Sequence, residues 1–126
     1  MKLHHIAITV SNLQESIDFY QKFFNFEIIK EFERLDMNAK AVFLKLGDFA
    51  VELWEFQDGK SNQDDLGDIK IKGIRHIALA VENLDDEIKK LNKKGLKVSP
   101  AKKGASGGRY TFVFDLDGVA IELYEE

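Results

Sequence analysis

Two histidines and two glutamates recur in this sequence within closely similar surroundings. His5 and His76 each open an apolar, β-branched stretch, and Glu52 and Glu122 each lie inside a second such stretch. Two neutral imidazoles and two carboxylates suit a divalent ion such as Zn, Ni, Mn, Fe or Co. In an octahedral shell, two positions stay open for water or substrate. The sequence therefore predicts a metal site made of these four residues.

These surroundings form an internal repeat. The matching stretches, in the same order in each half, are HIAITVSNL with HIALAVENL and FAVELWE with VAIELYE. Order-preserving matches of this kind indicate a duplicated structural module. We predict one domain over 1–126, built from modules at about 1–56 and 73–126. The polar stretch 57–72, rich in Asp and Gly, has the composition of a linker.

Each module predicts the element order βαβββ. An apolar strand comes first, at about 3–10 and 74–82. Asn12 and Asn83 then have the short polar side chain of a helix N-cap, and apolar residues at helical spacing follow each of them. Three further strands are expected in each module, at about 27–34, 40–46 and 49–56, and at about 97–102, 109–115 and 119–125. The fold class is α+β, with two modules that form a curved mixed sheet.

In each module, strand alternation places the two candidate ligands on the face that points away from the helix. Side chains point to opposite faces at successive strand positions. In each module the apolar residues of the first and last strands fall on one face, which suits packing under the helix. The His and the Glu fall on the other face, next to alanines that leave room for a ligand.

Three neighbouring residues have structural interpretations instead. His4 has the parity of the packed side chains and lies near the chain end, so we interpret it as structural or exposed. Glu55 and Glu125 share that parity but stand at strand ends, where solvation is expected. None of the three is assigned to the metal site.

Composition excludes several classes of protein. The chain has no cysteine, so disulfides and thiolate ligands or nucleophiles are absent. A net charge of −4 and a pI of about 5.4 argue against a nucleic-acid or membrane-surface partner. No stretch approaches the ~18 apolar residues of a membrane helix, and no signal peptide opens the chain. We expect a cytoplasmic protein with a small-molecule substrate.

The paired modules resemble a known superfamily. The stretches HHIAITVSNLQESIDFY, VELWE, IRHIALAVENL and DLDGVAIELYEE look like the vicinal oxygen chelate superfamily of glyoxalases, bleomycin-resistance proteins and dioxygenases. The resemblance covers essentially the whole chain. It is closest to bacterial glyoxalase I (lactoylglutathione lyase), whose metal is held by one His and one Glu per module. Those positions fall on His5, Glu52, His76 and Glu122.

The resemblance implies a metal-dependent lyase or isomerase. Its substrate would be a 2-oxoaldehyde hemithioacetal or a related vicinal-oxygen compound, converted by proton transfer through an enediolate. Glu122 is then the catalytic base, with Glu52 as the alternative. The ion would be Zn or Ni in the first place, with Mn, Co or Fe as alternatives. The resemblance also implies a homodimer, with sites at the subunit interface.

Some positions depart from the glyoxalase I pattern. Thr9 stands where an Arg commonly meets the carboxylate of glutathione, and Phe56 stands where an Asn does, so the use of glutathione is left open. The glycine-rich stretch 104–108 resembles the mobile loop of the family, and a plain hairpin connection is the alternative. Candidate pocket residues are Thr9, Trp54, Phe56, Arg109 and Tyr124.

Two other functions fit the same fold. A bleomycin-resistance-like protein would bind a drug in the groove without catalysis and without stoichiometric metal. A dioxygenase would need redox-active iron or manganese and would consume oxygen. Metal analysis separates the drug-binding alternative from the lyase, and oxygen consumption distinguishes the dioxygenase.

Overall fold

Each half of the chain folds into the same order of elements, as the repeat predicts. The computed structural model describes all 126 residues, in two units, Met1–Ser61 and Asn62–Glu126. The first unit contains β1 (His5–Thr9), α1 (Leu13–Phe24), β2 (Glu27–Arg34), a short 3₁₀ turn (Leu35–Met37), β3 (Ala39–Leu46) and β4 (Phe49–Phe56). The second contains β5 (His76–Ala80), α2 (Leu84–Lys93), β6 (Lys102–Lys103), β7 (Arg109–Phe114) and β8 (Ala120–Glu125). The predicted α+β class is confirmed.

Each unit has its own four-stranded mixed sheet. The strand orders are β1-β4-β3-β2 and β5-β8-β7-β6, so the first and last strands of each unit are neighbours. These two strands pair in parallel, and the other pairs are antiparallel. In the parallel pairs Ala7 lies opposite Glu52 and Ala78 lies opposite Glu122. The His two residues before each Ala shares its face, so the register brings His and Glu side chains together.

The core of each unit lies between the helix and one face of the sheet. In β4, Val51 and Leu53 are fully buried, whereas Glu52 between them is half-buried. In β8, Ile121 and Leu123 are buried on either side of Glu122 in the same way. Burying such side chains contributes about 1.5–3 kcal/mol each, which fixes the strand register and therefore the face on which each Glu lies.

Both helices begin at the predicted asparagines. The Asn12 side chain accepts a hydrogen bond from the Glu15 amide at 3.0 Å, and Asn83 accepts one from the Asp86 amide at 2.9 Å. The second helix ends at Lys93, and Gly95 follows the cap residue Lys94 with a φ of 96°, in the left-handed region that glycine adopts at low cost. Neither helix combines the length and the apolar character needed to span a membrane.

The prediction of a strand at 97–102 is largely wrong. Only Lys102–Lys103 pairs with β7. Pro100 has no amide hydrogen to donate to a ladder, and this breaks the pairing before it. Side chains hold the preceding segment instead: Asn92 accepts from the Val98 amide at 3.0 Å, and the Thr111 hydroxyl donates to the Ser99 carbonyl at 3.1 Å.

The stretch 57–72 contains no helix or strand, and the boundary between the two units falls inside it. Its acidic and amide side chains form a series of local turns. Asn62, Asp65 and Asp68 each accept a hydrogen bond at 2.9 Å from the amide two residues further on. Such Asx turns fold the chain locally without a sheet or helix.

Candidate functional site

The first unit brings together His5 and Glu52. His5 Nε2 lies 3.5 Å from Glu52 Oε2, and the two side chains are 34% and 13% exposed. The other ring nitrogen, Nδ1, is 2.7 Å from His4 Nδ1, so one of the two imidazoles donates there. That contact leaves Nε2 of His5 facing the carboxylate. His4 is exposed, which agrees with the prediction that it is structural or exposed. It also contacts His5, a predicted metal ligand.

The second unit repeats this pair. His76 Nε2 lies 3.3 Å from Glu122 Oε2, and the side chains are 31% and 17% exposed. The exposed part of each pair leaves access for a ligand, and the buried part limits the freedom of the carboxylate.

A phenylalanine from the strand on the far side of the Glu strand contacts each histidine edge to face. The Phe43 and His5 ring centroids are 5.1 Å apart, and those of Phe112 and His76 are 5.4 Å apart. Each Phe also pairs in register with the Glu of its unit. Sequence reasoning missed these rings, although the repeat places them at corresponding positions of β3 and β7. They restrict the orientation of both imidazoles.

Within each pair, the distance between the imidazole nitrogen and the carboxylate oxygen fits a metal ion bound by both side chains. Ligand atoms about 2.1 Å from a metal, at tetrahedral or octahedral angles, are about 3.0–3.4 Å apart. The nitrogen to oxygen distances of 3.5 and 3.3 Å are close to that range. Nowhere do three or more His, Asp or Glu side chains form a group able to hold a metal. Each pair alone has two potential ligand atoms, fewer than the four that a metal shell requires.

The candidate pocket residues of the first unit lie on the face that carries Glu52. Thr9 is exposed and pairs in register with Trp54. The indole stacks on Phe56, with centroids 5.5 Å apart and an interplanar angle of 17°, and meets Phe32 edge to face at 5.3 Å. These rings form an aromatic surface beside the His5–Glu52 pair.

In the second unit, Tyr124 is held by the glycine-rich loop. Its hydroxyl is 3.0 Å from the Ser106 hydroxyl. The loop closes through a hydrogen bond of 2.7 Å from the Gly104 amide to the Gly108 carbonyl. A Cβ added at Gly108 would overlap the Tyr124 hydroxyl, so this approach requires glycine. The loop thus fixes Tyr124, the next side chain after Glu122 on the same face of the sheet.

Arg109 lies on the other face of its sheet. Its guanidinium donates to both oxygens of Asp85 at 2.9 Å and to Glu125 at 3.2 Å. The hydrogen bonds to Asp85, and then to Glu125, raise the pKa of Arg109. Its strand neighbours on that face, Thr111 and Val113, are buried beneath the helix. Arg109 therefore connects β7 and β8 to the start of α2 and points away from Glu122.

The expectation that Glu55 and Glu125 are solvated is wrong. Both are part-buried and accept hydrogen bonds from the first amide of a helix: Leu13 donates to Glu55 at 2.5 Å, and Leu84 donates to Glu125 at 2.6 Å. The first amides of a helix have no partner within the helix, and its N-terminus favours negative charge. Strand alternation had placed both residues on the face of the packed core residues, and this signal could have predicted their burial.

Comparison with known proteins identifies the family of this chain. Residues 2–123 match the family model of the Glyoxalase/Bleomycin resistance protein/Dioxygenase superfamily. The chain belongs to this superfamily. The resemblance inferred from the sequence motifs is thereby confirmed.

Relatives within the superfamily have different activities. The chain is 31% identical to lactoylglutathione lyase of Escherichia coli O157:H7, over 100% of this chain and 93% of that protein. It is also 31% identical to the mitochondrial methylmalonyl-CoA epimerase of Dictyostelium discoideum, over 99% of this chain and 78% of that protein. A solved glyoxalase family protein from Enterococcus faecalis has a TM-score of 0.87 at 32% identity, over 98% and 97% of the two chains.

The superfamily contains many enzymes, among them lyases and epimerases, and its members commonly bind a divalent metal ion. The same fold therefore serves several reactions, and the residues of the site have to decide among them.

Proposed function

We propose that this protein is a metal-dependent lyase or isomerase of the glyoxalase I type. It acts on a small substrate with vicinal oxygens, such as a 2-oxoaldehyde hemithioacetal, by moving a proton between neighbouring carbons. One divalent ion is held by His5, Glu52, His76 and Glu122. Zn or Ni is the first choice, and Mn, Co or Fe are the alternatives.

The observation that carries this proposal is the duplicated His–Glu pair. Both pairs stand at the same register of a parallel strand pair, with nitrogen to oxygen distances of 3.5 and 3.3 Å. A single surface pair of this kind has little meaning. Two such pairs, each against an edge-on phenylalanine, are the donor set expected of one metal shell divided between two units.

The division of roles follows from the chemistry of the side chains. When bound, the ion supplies Lewis acidity at the substrate carbonyl. His5 and His76 bind the ion through imidazole nitrogens and remain ligands. Glu122 takes the proton from the carbon next to the carbonyl and returns it to the neighbouring carbon. Glu52 is the alternative base, because it has the equivalent position in the other unit.

The aromatic residues have a positioning role in this proposal. Trp54, Phe56 and Tyr124 form the walls that exclude water from the substrate, and Thr9 lies beside them. Thr9 and Phe56 replace the two polar residues that would bind glutathione, so a thiol partner other than glutathione is included in the assays. Arg109 is not part of the proposed pocket, because it is bound to Asp85 and Glu125.

We further propose a homodimer. Each unit holds only half of a ligand set, so a complete shell takes one pair from each unit, from the same chain or from two chains. Apolar side chains of the edge strand β2, Ile28 (43% exposed) and Ile29 (55% exposed), favour burial against a second copy.

The test begins with metal content. Purified protein is stripped with a chelator, reloaded separately with Zn, Ni, Co, Mn or Fe, and analysed for bound metal. We expect one ion per His/Glu set, and loss of most of it in His5→Ala and His76→Ala. Each form is then assayed with the hemithioacetals of methylglyoxal and several thiols, and with methylmalonyl-CoA.

The outcomes separate the alternatives. Turnover of a hemithioacetal with bound metal supports the lyase. Turnover of methylmalonyl-CoA alone identifies an epimerase on the same ligand set. Tight binding of an aromatic drug without metal indicates sequestration, and oxygen consumption with iron or manganese indicates a dioxygenase. A protein that binds none of the five ions refutes the metal site.

A further inference from the structure

A cavity of about 190 Å³ lies within the second unit, next to His76. One wall is aromatic: Tyr110, Phe112 and Phe114 stand at alternate positions of β7 and share the face that carries Glu122. Its volume is below the ~300–1,000 Å³ typical of pockets for drug-sized ligands. The cavity therefore fits a small organic molecule.

Another part of the lining comes from the joining stretch 57–72, from residues that belong to the second unit. Leu66, Gly67 and Ile69 line the cavity. A Cβ added at Gly67 would lie 3.4 Å from two ring carbons of Phe114, so this segment passes close to that ring. The cavity has an apolar body lined by an aromatic wall and this segment.

Arg75 is the one cationic residue that lines the cavity. Its Nη1 atom is buried and has no hydrogen-bond partner. Its Nε donates to the Ile74 carbonyl at 3.0 Å, and no carboxylate pairs with the guanidinium. The other two arginines are both paired, Arg34 with Asp36 and Arg109 with Asp85 and Glu125.

An unpaired buried donor is costly, and more so when it belongs to a charged group. A guanidinium forms its strongest hydrogen bonds with oxyanions, above all two parallel ones with a carboxylate. Arg75 lines the cavity and has no protein carboxylate beside it, so an anion that pairs with this guanidinium has to come from outside the chain.

We propose that Arg75 binds the carboxylate of a small organic acid whose apolar part lies along Tyr110, Phe112 and Phe114. A single guanidinium matches a monoanion, and the cavity volume limits the molecule to a few carbons or one ring. His76, on the rim of the same cavity, places the other end of the molecule at the proposed metal ligands. Only the contact with the proposed metal ligands rests on the proposed function. The carboxylate site itself is inferred from the cavity and Arg75.

The test uses metal-free protein, so that its result does not depend on the metal proposal. The probe is benzoate, with the uncharged isostere benzamide as the comparison. Binding is followed by chemical-shift changes of backbone amides in the ¹H–¹⁵N spectrum. We expect saturable shifts at Gly67 and Phe112 with benzoate, and at least about tenfold weaker binding of benzamide, because it loses the charge-assisted hydrogen bonds.

Two matched variants locate the interaction. Arg75→Gln is expected to weaken benzoate binding at least about tenfold. Lys72→Gln removes the same charge from an exposed side chain three positions earlier and should leave binding within about twofold. Both variants should keep the dispersed spectrum of the folded protein and, when reloaded, the metal content of the wild type.

Three results would overturn the inference. They are equal affinities for benzoate and benzamide in the wild type, unchanged benzoate binding in Arg75→Gln, and equal weakening in Lys72→Gln. The first comparison needs no variant, so it decides the question even if Arg75→Gln fails to fold. A failure of the metal experiment alone leaves the carboxylate site standing.

Discussion

Replacement of Glu122 by Gln separates a catalytic base from a metal ligand. The Glu122 side chain is 17% exposed and lies opposite Ala78 and Phe112 in register. Gln has the same shape, so it leaves no cavity. It also keeps an oxygen near His76 Nε2, which in the wild type lies 3.3 Å from the Glu122 carboxylate. The substitution removes the charge and the ability to accept a proton from carbon. Most of the metal should remain, because three ligands and the amide oxygen are kept.

The expected loss of turnover follows from general-base catalysis. A positioned base contributes typically about 10²–10⁴-fold, which is about 3–5 kcal/mol of activation free energy. Metal content and turnover are measured on the same preparations of Glu122→Gln, Glu52→Gln and the double variant. If Glu122 is the base, Glu122→Gln loses at least about 10²-fold while Glu52→Gln keeps most of its turnover. If the two carboxylates share the work, each single variant keeps part of the activity.

Two results would refute the reasoning. Full turnover in the double variant, with metal still bound, removes carboxylate base catalysis from the mechanism. A loss of turnover in Glu122→Gln that is matched by an equal loss of metal assigns the residue to metal binding only.

Three further predictions concern stability and assembly. Glu125→Ala should lower the free energy of unfolding by about 1–2 kcal/mol, measured with urea, because the Leu84 amide loses its acceptor; the exposed Glu126→Ala is the control and should change little. Gly108→Ala should lower the melting temperature by several degrees, because a Cβ there meets the Tyr124 hydroxyl; an unchanged value contradicts the close approach. Light scattering at micromolar concentration should give twice the 14.4 kDa chain mass, and a strict monomer contradicts the proposed dimer.

The elements that the sequence predicts correctly are those with a strong periodic signal. Alternating apolar residues defined the strands that carry His5, Glu52, His76 and Glu122, and the two asparagines defined both helix starts. The predicted strand at 97–102 failed because a single proline outweighed the apolar pattern around it. The apolar residues around Pro100 favour a strand, but they do not replace the amide hydrogen that proline lacks.

The residues that the sequence missed act through tertiary contacts. Glu55 and Glu125 stand at strand ends, and only the packing of helix on sheet brings their carboxylates to helix amides 41 or 42 residues away. Arg75 precedes its strand and belongs to no periodic pattern. Its significance depends on the absence of a carboxylate near it in space, which no sequence pattern expresses.

The stretch that joins the two units has a consequence for how specificity changes during evolution. The chain divides at Ser61 within this stretch, and the part that follows, in the second unit, lines the cavity beside His76. The ligand pairs lie on paired strands whose register is fixed by buried neighbours. Insertions or substitutions in the joining stretch therefore reshape the cavity while the ligand pairs keep their geometry. Under the proposed function, the duplicated His–Glu pairs carry the chemistry, and the segment without a counterpart in the repeat selects the substrate.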